Sequence, residues 1–421
     1  MTGLRVGYLT GEYPRTSDTF IQREVAALRA DGTDVHTFAV RRPGPEHLTG
    51  PEQRDGQAST TYLLELAKSP SLAKAHARAL VRRPGRYVKG LKLAWETRRP
   101  GVKGTIFQLI YFIEAVVLAD ELAKRKITHL HNHFADSSCT VAMLTAEVSG
   151  IPYSFTLHGS AIFFEAHTWQ LGAKLDRAAF CTCISNFTRS QAAIFAAPET
   201  LDRLHVVHCG VEPDRLVPVV HEGQGNNLIF VGRLVEAKGL AVLFDALSDL
   251  VATRPELTLT VVGDGPDRTV LERKAADRGL ADHVRFVGSK SQAEVAELLT
   301  TAELFVLPSY AEGVPVVVME ALGCGVPVVA SFVGGMAELV EDGVNGFLVA
   351  PSDPQALGRR IAQLLDDGEL RASMGAAGRD KVLADFDSSH EAGRLATLLT
   401  NNAAGVISAT RPPSLGSGAS D

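Results

Sequence analysis

Between Ala311 and Ser331 the chain reads AEGVPVVVMEALGCGVPVVAS, a stretch holding two carboxylates, Glu312 and Glu320, with seven residues between them. Gly313 loosens the intervening loop, and Pro315 suits the opening of a helix. The apolar run Leu304–Ser309 delivers the chain to this point as a strand. Strand, loop and helix start together present free backbone N–H groups at a positive helix end, which suits an anion. The flanking carboxylates suit hydroxyls instead. A diphosphate beside a polyol describes a nucleotide sugar. Glu320 falls about one and a half turns into its helix, where a carboxylate accepts from adjacent ribose hydroxyls, and Glu312 lies nearer the sugar ring. Each such bond to a charged partner is worth about 1.5–3 kcal/mol. The surroundings VVVMEALGCGVPVV are apolar almost throughout, so a carboxylate within them needs a partner.

A second group of candidates sits in VGRLVEAKGL, where Arg233 follows a strand and Lys238 opens the next helix. Alone, both would read as solvated surface charges. Cations at a strand's carboxyl end and at a helix N-terminus converge where a pyrophosphate lies. Breaking a sugar–phosphate bond leaves negative charge on the departing diphosphate. No acidic metal-binding motif stands at a strand end to neutralise it, and the one Asp-x-Asp match, Asp385 to Asp387, falls in a C-terminal helical region. Arg233 and Lys238 are therefore expected to do so, with no metal or other cofactor. One preorganised donor to a developing oxyanion supplies about 3–4 kcal/mol, a hundredfold or more in rate.

The first half offers histidines. HLHNHF places His129, His131 and His133 on one face of a strand, and TLHGS places His158 before Gly159. The strand histidines resemble metal ligands only in spacing, since no fourth ligand closes the set. His158 is the better candidate for the reaction centre, as a neutral imidazole bonding a sugar hydroxyl or holding the acceptor.

These residues need a scaffold that brings strand ends together. Short Val/Ile/Leu-rich runs alternate with helical segments along the whole chain, the pattern of a parallel sheet covered on both faces. Strands are expected at Leu4–Thr10, Asp34–Val40, Thr128–Phe134, Tyr153–Gly159, Ala178–Ile184 and Leu204–Gly210. After a polar, Pro- and Gly-rich break at 213–227, a second series is expected at Asn227–Gly232, Leu257–Gly263, Val284–Val287, Leu304–Ser309, Pro327–Ser331 and Gly346–Ala350. Among the intervening helices are Thr19–Ala30, Thr105–Lys124, Lys238–Val251 and Pro354–Asp366. At 421 residues two domains are the better prior. The division expected is 1–215 on the acceptor side, 216–385 binding the donor, a C-terminal helix at 386–401 and a disordered tail at 402–421.

Hydrophobic residues make up 45% of the chain and charged ones 21%, so a folded domain pair is expected rather than disorder. The net charge of -6 argues against a general nucleic-acid binder. The five cysteines read as buried reduced thiols, and the N-terminus lacks a signal-peptide core, so a cytoplasmic setting is expected. No window gives 18 uncharged apolar residues; the run Ile106 to Leu118 reads as a buried helix, not a membrane span.

Taken together, GRLVEAKG, VGDGP, AEGVPVVVMEALGCGVPVVAS, GGMAELVEDGVNGFLVAPSDPQAL and HCGVEPDRL resemble the retaining family-4 glycosyltransferases. Within them, TSDTFIQREVAAL, THLHNHFADS and IPYSFTLHGSAIF are similar to exopolysaccharide enzymes of the colanic acid and amylovoran type. The resemblance implies an α/β chain with the GT-B fold: two Rossmann-like doubly wound domains facing a central cleft. It also implies a nucleotide-diphospho-sugar donor, retention at the anomeric carbon, no metal, and a glycan or polyprenol-linked acceptor. Carried over by position, Arg233 and Lys238 resemble the donor-phosphate pair and Glu320 the ribose acceptor. Glu312, with Gly313 and Val314, resembles the sugar-contacting element, and His158 the histidine beside the transferred sugar. Gly263 and Val287 resemble nucleotide-lining positions, and Gly11, Glu12 and His133 fall on the acceptor side. The first loop, GEYPRTSDTF, departs from the wider family in having only Gly11 where many relatives carry a glycine pair.

Retention by double displacement needs a carboxylate beneath the sugar. Glu12 and Glu165 are the near candidates in the first domain, both reading as surface residues, so front-face transfer is expected. A nucleotide-sugar epimerase and a non-catalytic sugar-nucleotide-binding protein stay open as alternatives. An NAD dehydrogenase does not fit, since neither GEYPRTSDTF nor GRLVEAKG supplies the three-glycine turn.

One stretch reverses the overall charge. Lys68 to Lys103 carries eleven Lys or Arg residues against a single acid, Glu96, with Leu72, Leu80, Val88, Leu91, Leu93 and Trp95 among them. Mixed basic and apolar positions with a Trp suit a helix lying on an anionic membrane surface.

Overall fold

The computed structural model describes residues 4–405, apart from 16–17, 49, 160 and 219–224. The expected tail from 406 on, and part of the expected linker, lie outside the described residues.

The chain divides into two units, one holding the residues up to Val207 together with those from Ala392 on, the other His208–Glu391. The first carries a seven-stranded sheet: β1 (Arg5–Glu12), β2 (Asp34–Arg41), β3 (Thr61–Tyr62), β4 (His129–His133), β5 (Tyr153–Leu157), β6 (Cys181–Cys183) and β7 (Leu204–Val206). Its order is β3-β2-β1-β4-β5-β6-β7, every pair parallel. The second unit carries β8 (Asn227–Val231), β9 (Thr258–Val262), β10 (Val284–Gly288), β11 (Leu304–Leu307), β12 (Val328–Ser331) and β13 (Gly346–Val349) in the order β10-β9-β8-β11-β12-β13, again all parallel. Each sheet thus reverses its winding once, at β1/β4 and at β8/β11. Ligands of such sheets bind at the carboxyl ends of the strands at that switch point.

Local chemistry sets the elements. β11 and β12 are buried along their whole length, as strands covered on both faces require. The helix Thr19–Ala30 buries Ile21, Val25 and Leu28, a 3.6-residue stripe. Asp136 caps the helix Ser137–Ser149 by accepting from the Ser138 N–H, and Gly150 ends it in the left-handed region at φ 75°. All five cysteines are buried, and none is in a disulfide among the described residues.

Four expectations need correction. The break between units falls at 207/208, not at 215/216, because the Val211 N–H donates to Phe386 O and Ser388 N–H to Val211 O, tying this segment into the second unit. The C-terminal helix Ser388–Ala403 is no separate element: Ala392, Leu395 and Leu399 join the core of the first unit with Val6, Ile21 and Val25. The helix expected from Lys238 begins at Leu240, since Gly239 at φ 68° interrupts it and leaves Lys238 on a 3-10 turn, Glu236–Lys238. The helix containing Ile106 to Leu118 runs Gly101–Lys124, long and apolar enough to cross a bilayer, and only its second half is buried. Phe112, Val116, Leu118 and Leu122 lie in the core, whereas Val102, Ile106, Phe107, Leu109 and Ile110 are exposed.

The basic stretch forms two helices, Ser71–Arg82 and Pro84–Glu96, followed by the start of this third one. Leu93 points into the core, while Leu80, Val88, Leu91 and Trp95 face outward.

Candidate functional site

In the second unit Lys238 and Glu312 meet at the β8/β11 switch point. The Tyr310 N–H donates to Ala237 O, holding the end of β11 against the Glu236–Lys238 turn. The backbones pass so closely that a Cβ on Gly239 would stand 1.9 Å from Pro308 O. Any side chain there would force the loops apart. The result is a short ion pair: Lys238 Nζ donates to Glu312 Oε1 at 2.6 Å, with Glu312 buried and Lys238 half-buried. Arg233, just beyond β8, is exposed and makes no ion pair among the described residues. Lys238 is therefore already paired, and Arg233 stands free at the end of β8 among the described residues.

Around them, the Gly313 carbonyl accepts from the Gly335 N–H at 2.8 Å, and Val314 is buried. Glu320 lies on the helix Val316–Gly323, half-buried, beside the Cys324 thiol that burial and this carboxylate push up to about 11. Gly263 takes φ 133°, and a Cβ there would meet Gly232 O at 1.9 Å, one residue before Arg233. Val287 lies in β10 where its pairing with β9 shifts register, half-buried. Ser309, at the end of β11, was not singled out by sequence; its buried hydroxyl has no hydrogen-bond partner among the described residues.

In the first unit the histidines of β4 share a face as expected, but they are bonded to the sheet. His129 Nε2 and His131 Nδ1 meet the Ser154 hydroxyl at 2.7 and 2.8 Å, and His131 Nε2 meets that of Thr156 at 3.0 Å. Burial lowers both His129 and His133 to about 3 and holds His131 well below the usual imidazole range. Glu24, His131 and His133 bring one ligand atom each within 4.8 Å. With both His131 nitrogens on hydroxyls, the set reads as a hydrogen-bonded network.

That network reaches His158. His133 Nδ1 lies 2.9 Å from His158 Nε2, and His133 Nε2 lies 3.1 Å from Glu24 Oε1, off the hydrogen-bonding line and with no other partner. Glu24 also accepts from the Tyr8 hydroxyl at 2.7 Å, and its burial raises its pKa. Burial, then His133, keeps His158 well below the usual range, so its ring is neutral; Phe20 and Phe134 hold it at centroid distances of 4.7 and 4.8 Å.

Sequence reasoning missed Glu24. The signal was present: Ile21, Glu24, Val25 and Leu28 follow the i, i+3, i+4, i+7 stripe, so the carboxylate had to turn inward. Lys174, fully buried between Leu171 and Leu175, shows the same pattern; burial lowers it to about 8, and it donates to the carbonyls of Ala135 and Asp136 at 2.8 Å each, fixing the loop after β4. Gly11 and Glu12 end β1, where Glu12 stands 4.0 Å from Arg41. Glu165 is exposed and accepts from Trp169 Nε1.

Comparison with known proteins fits this geometry. Residues 18–215 match the model of glycosyltransferase family 4, and residues 217–381 that of group 1 glycosyl transferases. An uncharacterised glycosyltransferase of Methanocaldococcus jannaschii is 31% identical over 284 residues, 64% of this chain and 75% of that relative. The chain belongs to the family 4 and group 1 glycosyltransferases. A putative colanic acid biosynthesis glycosyltransferase, WcaL of Salmonella typhimurium, is 27% identical across 94% of this glycosyltransferase and 99% of its own length. Among solved structures, Anabaena HepE in complex with UDP superposes with a TM-score of 0.72 at 17% identity, covering 94% of this chain and 100% of that one. The shared architecture is the GT-B fold.

Proposed function

We propose that this glycosyltransferase moves a sugar, with retention and without a metal, from a nucleotide diphosphate to a lipid-linked or glycan acceptor during exopolysaccharide assembly at the cytoplasmic face of a membrane. The observation that carries the donor half is the Lys238–Glu312 pair at the β8/β11 switch point, with Arg233 exposed just beyond the end of β8. An arriving diphosphate competes with Glu312 for Lys238 and recruits Arg233. Glu312, released, accepts from a sugar hydroxyl, and Glu320 from the ribose. The bond from the anomeric carbon to the phosphate oxygen then breaks while the acceptor oxygen bonds from the same face. The leaving phosphate oxygen takes the acceptor's proton, and the two cations hold the charge that develops. The neutral His158 ring orients a sugar hydroxyl.

The likeness to WcaL supports the polysaccharide setting, and the likeness to a UDP complex supports the donor class. Exposed Val81, Val88, Trp95 and Val102 beside Arg82, Lys89 and Lys92 support the membrane. The test begins with thermal-shift screening against UDP, GDP and ADP sugars, in which the true donor raises the melting point. Turnover with that donor, a lipid-linked acceptor and a chelator follows. A product with inverted anomeric configuration, or activity abolished by the chelator and restored by divalent ions, overturns the mechanism.

A further inference from the structure

Two cavities of opposite chemistry adjoin on the first unit, and neither belongs to the site described above. The first, of about 260 Å³, lies between the start of the Gly101–Lys124 helix and the segment around Trp169. Arg99 and Lys103 line it and no carboxylate does. Arg99 is held in place: its Nε donates to Thr168 O at 3.1 Å, and its guanidinium lies 3.9 Å over the Trp169 ring. Its Nη2 is buried without a hydrogen-bond partner among the described residues. A buried guanidinium nitrogen left without an acceptor calls for one from outside.

The second cavity, of about 410 Å³, is a groove between the helices Pro84–Glu96 and Gly101–Lys124, lined by the apolar side chains of Val88, Leu91, Ala94, Trp95 and Leu109. Lys92 and Arg98 stand at its rim. Gln108 lines both cavities, and its amide donates to the Thr97 hydroxyl at 2.9 Å, so its polar end is satisfied within the wall. A cationic pocket joined to an apolar groove fits an amphiphile with an anionic head and one long apolar chain.

We infer that this pair of cavities binds the phosphate or diphosphate and the adjoining chain of a lipid-linked acceptor, with Arg99 and Lys103 on the head and the Val88–Trp95–Leu109 groove on the chain. The inference rests on the glycosyl-transfer reading above and gives it an acceptor class and place. Charge decides for phosphate: Arg99 and Lys103 line the pocket, and the neighbouring carboxylate of Glu165, held by the Trp169 indole, is not among the lining residues.

The chain's two tryptophans stand one in each cavity, Trp95 in the groove and Trp169 in the pocket. Intrinsic fluorescence therefore reports each part separately in the variants Trp95→Phe and Trp169→Phe. Farnesyl diphosphate, inorganic pyrophosphate, farnesol and anionic phospholipid vesicles are the probes. Farnesyl diphosphate is expected to perturb both reporters and to bind at least tenfold more tightly than pyrophosphate or farnesol. Arg99→Met is expected to weaken it tenfold or more, while the melting point and the shift given by the donor stay unchanged. Equal affinity for farnesyl diphosphate and pyrophosphate, an Arg99→Met variant that binds as well as the parent, or a response to vesicles alone overturns the inference. A protein that answers to the nucleotide sugar but not to farnesyl diphosphate loses only this inference; the opposite result leaves it and removes the donor reading.

Discussion

Lys238 is the residue whose replacement separates chemistry from architecture. Its ammonium has one visible partner, Glu312, which is buried. In Lys238→Met that carboxylate loses its cation; a buried polar group left unsatisfied costs about 1–3 kcal/mol, and a charged one more. For a domain of this size each kcal/mol lowers the melting point by about 2–4 °C. If Lys238 served only to neutralise Glu312, the double variant Lys238→Met/Glu312→Gln would recover stability and turn over as fast as Glu312→Gln alone, since the charge would be gone. If it also stabilises the leaving diphosphate, the double variant recovers stability while turnover stays below that of Glu312→Gln, because removing one such donor costs about 3–4 kcal/mol, a hundredfold to a thousandfold in kcat. The assay is release of nucleoside diphosphate under saturating donor, alongside thermal melts of the single and double variants. A kcat of the double variant within about threefold of that of Glu312→Gln alone, well under that loss, would refute the leaving-group role and leave Lys238 a structural counter-ion.

Further outcomes follow from other parts of the molecule. Glu24→Leu is expected to lower kcat tenfold or more, whereas Glu24→Gln, whose Oε1 still accepts from the Tyr8 hydroxyl, keeps it; equal behaviour of the two variants removes Glu24 from any positioning role. Glu320→Gln is expected to weaken nucleotide binding by about tenfold, from the about 1.5–3 kcal/mol of hydrogen bonding to a charged acceptor, and calorimetry with the free nucleotide checks it. Gly263→Ala is expected to abolish donor binding with a fall in melting point, because its Cβ would enter Gly232 O at a φ of 133°; unchanged binding would show the β8 and β9 ends to be freely adjustable. Burial raises Glu114 from 4.5 to about 7, so between those values the folded chain keeps a proton that the unfolded chain releases, and stability falls as pH rises through that window. Glu114→Gln is thus expected to raise the melting point more at pH 8 than at pH 5, and an equal gain at both would contradict it.

Much of the fold is legible in the residues because a doubly wound parallel sheet leaves a coarse signal. Buried strands such as LFVL and VVAS are apolar without alternation, and helices such as Pro354–Asp366 open on Asp353, whose side chain caps the Ala356 N–H. The donor loops were legible for a related reason. Their chemistry stands on residues next in sequence to strand ends, and a parallel sheet puts all its strand ends on one side. Lys238 and Glu312 needed only that rule to be placed together.

Other residues resisted because their surroundings come from chain far away in sequence. Glu24 on TFIQREVAALRA looks like one of several charges on a surface helix until Tyr8 of β1 and His133 of β4 are set against it. The first half of the Gly101–Lys124 helix is as apolar as the second, so composition alone assigns both to the core. What divides them is coverage: Val116, Leu118 and Leu122 meet the packed interior of the first unit, whereas Ile106, Leu109 and Ile110 extend past it. An apolar face that its own fold leaves bare persists only if something else covers it, because each exposed aliphatic side chain forgoes about 1.5–3 kcal/mol of burial. The cations ringing that face, Lys89, Lys92, Arg98 and Lys103, restrict the cover to something anionic at its margin and apolar within. The same reasoning that brings Glu24 inward, that a group out of place by pattern has a partner, here points outward to a lipid.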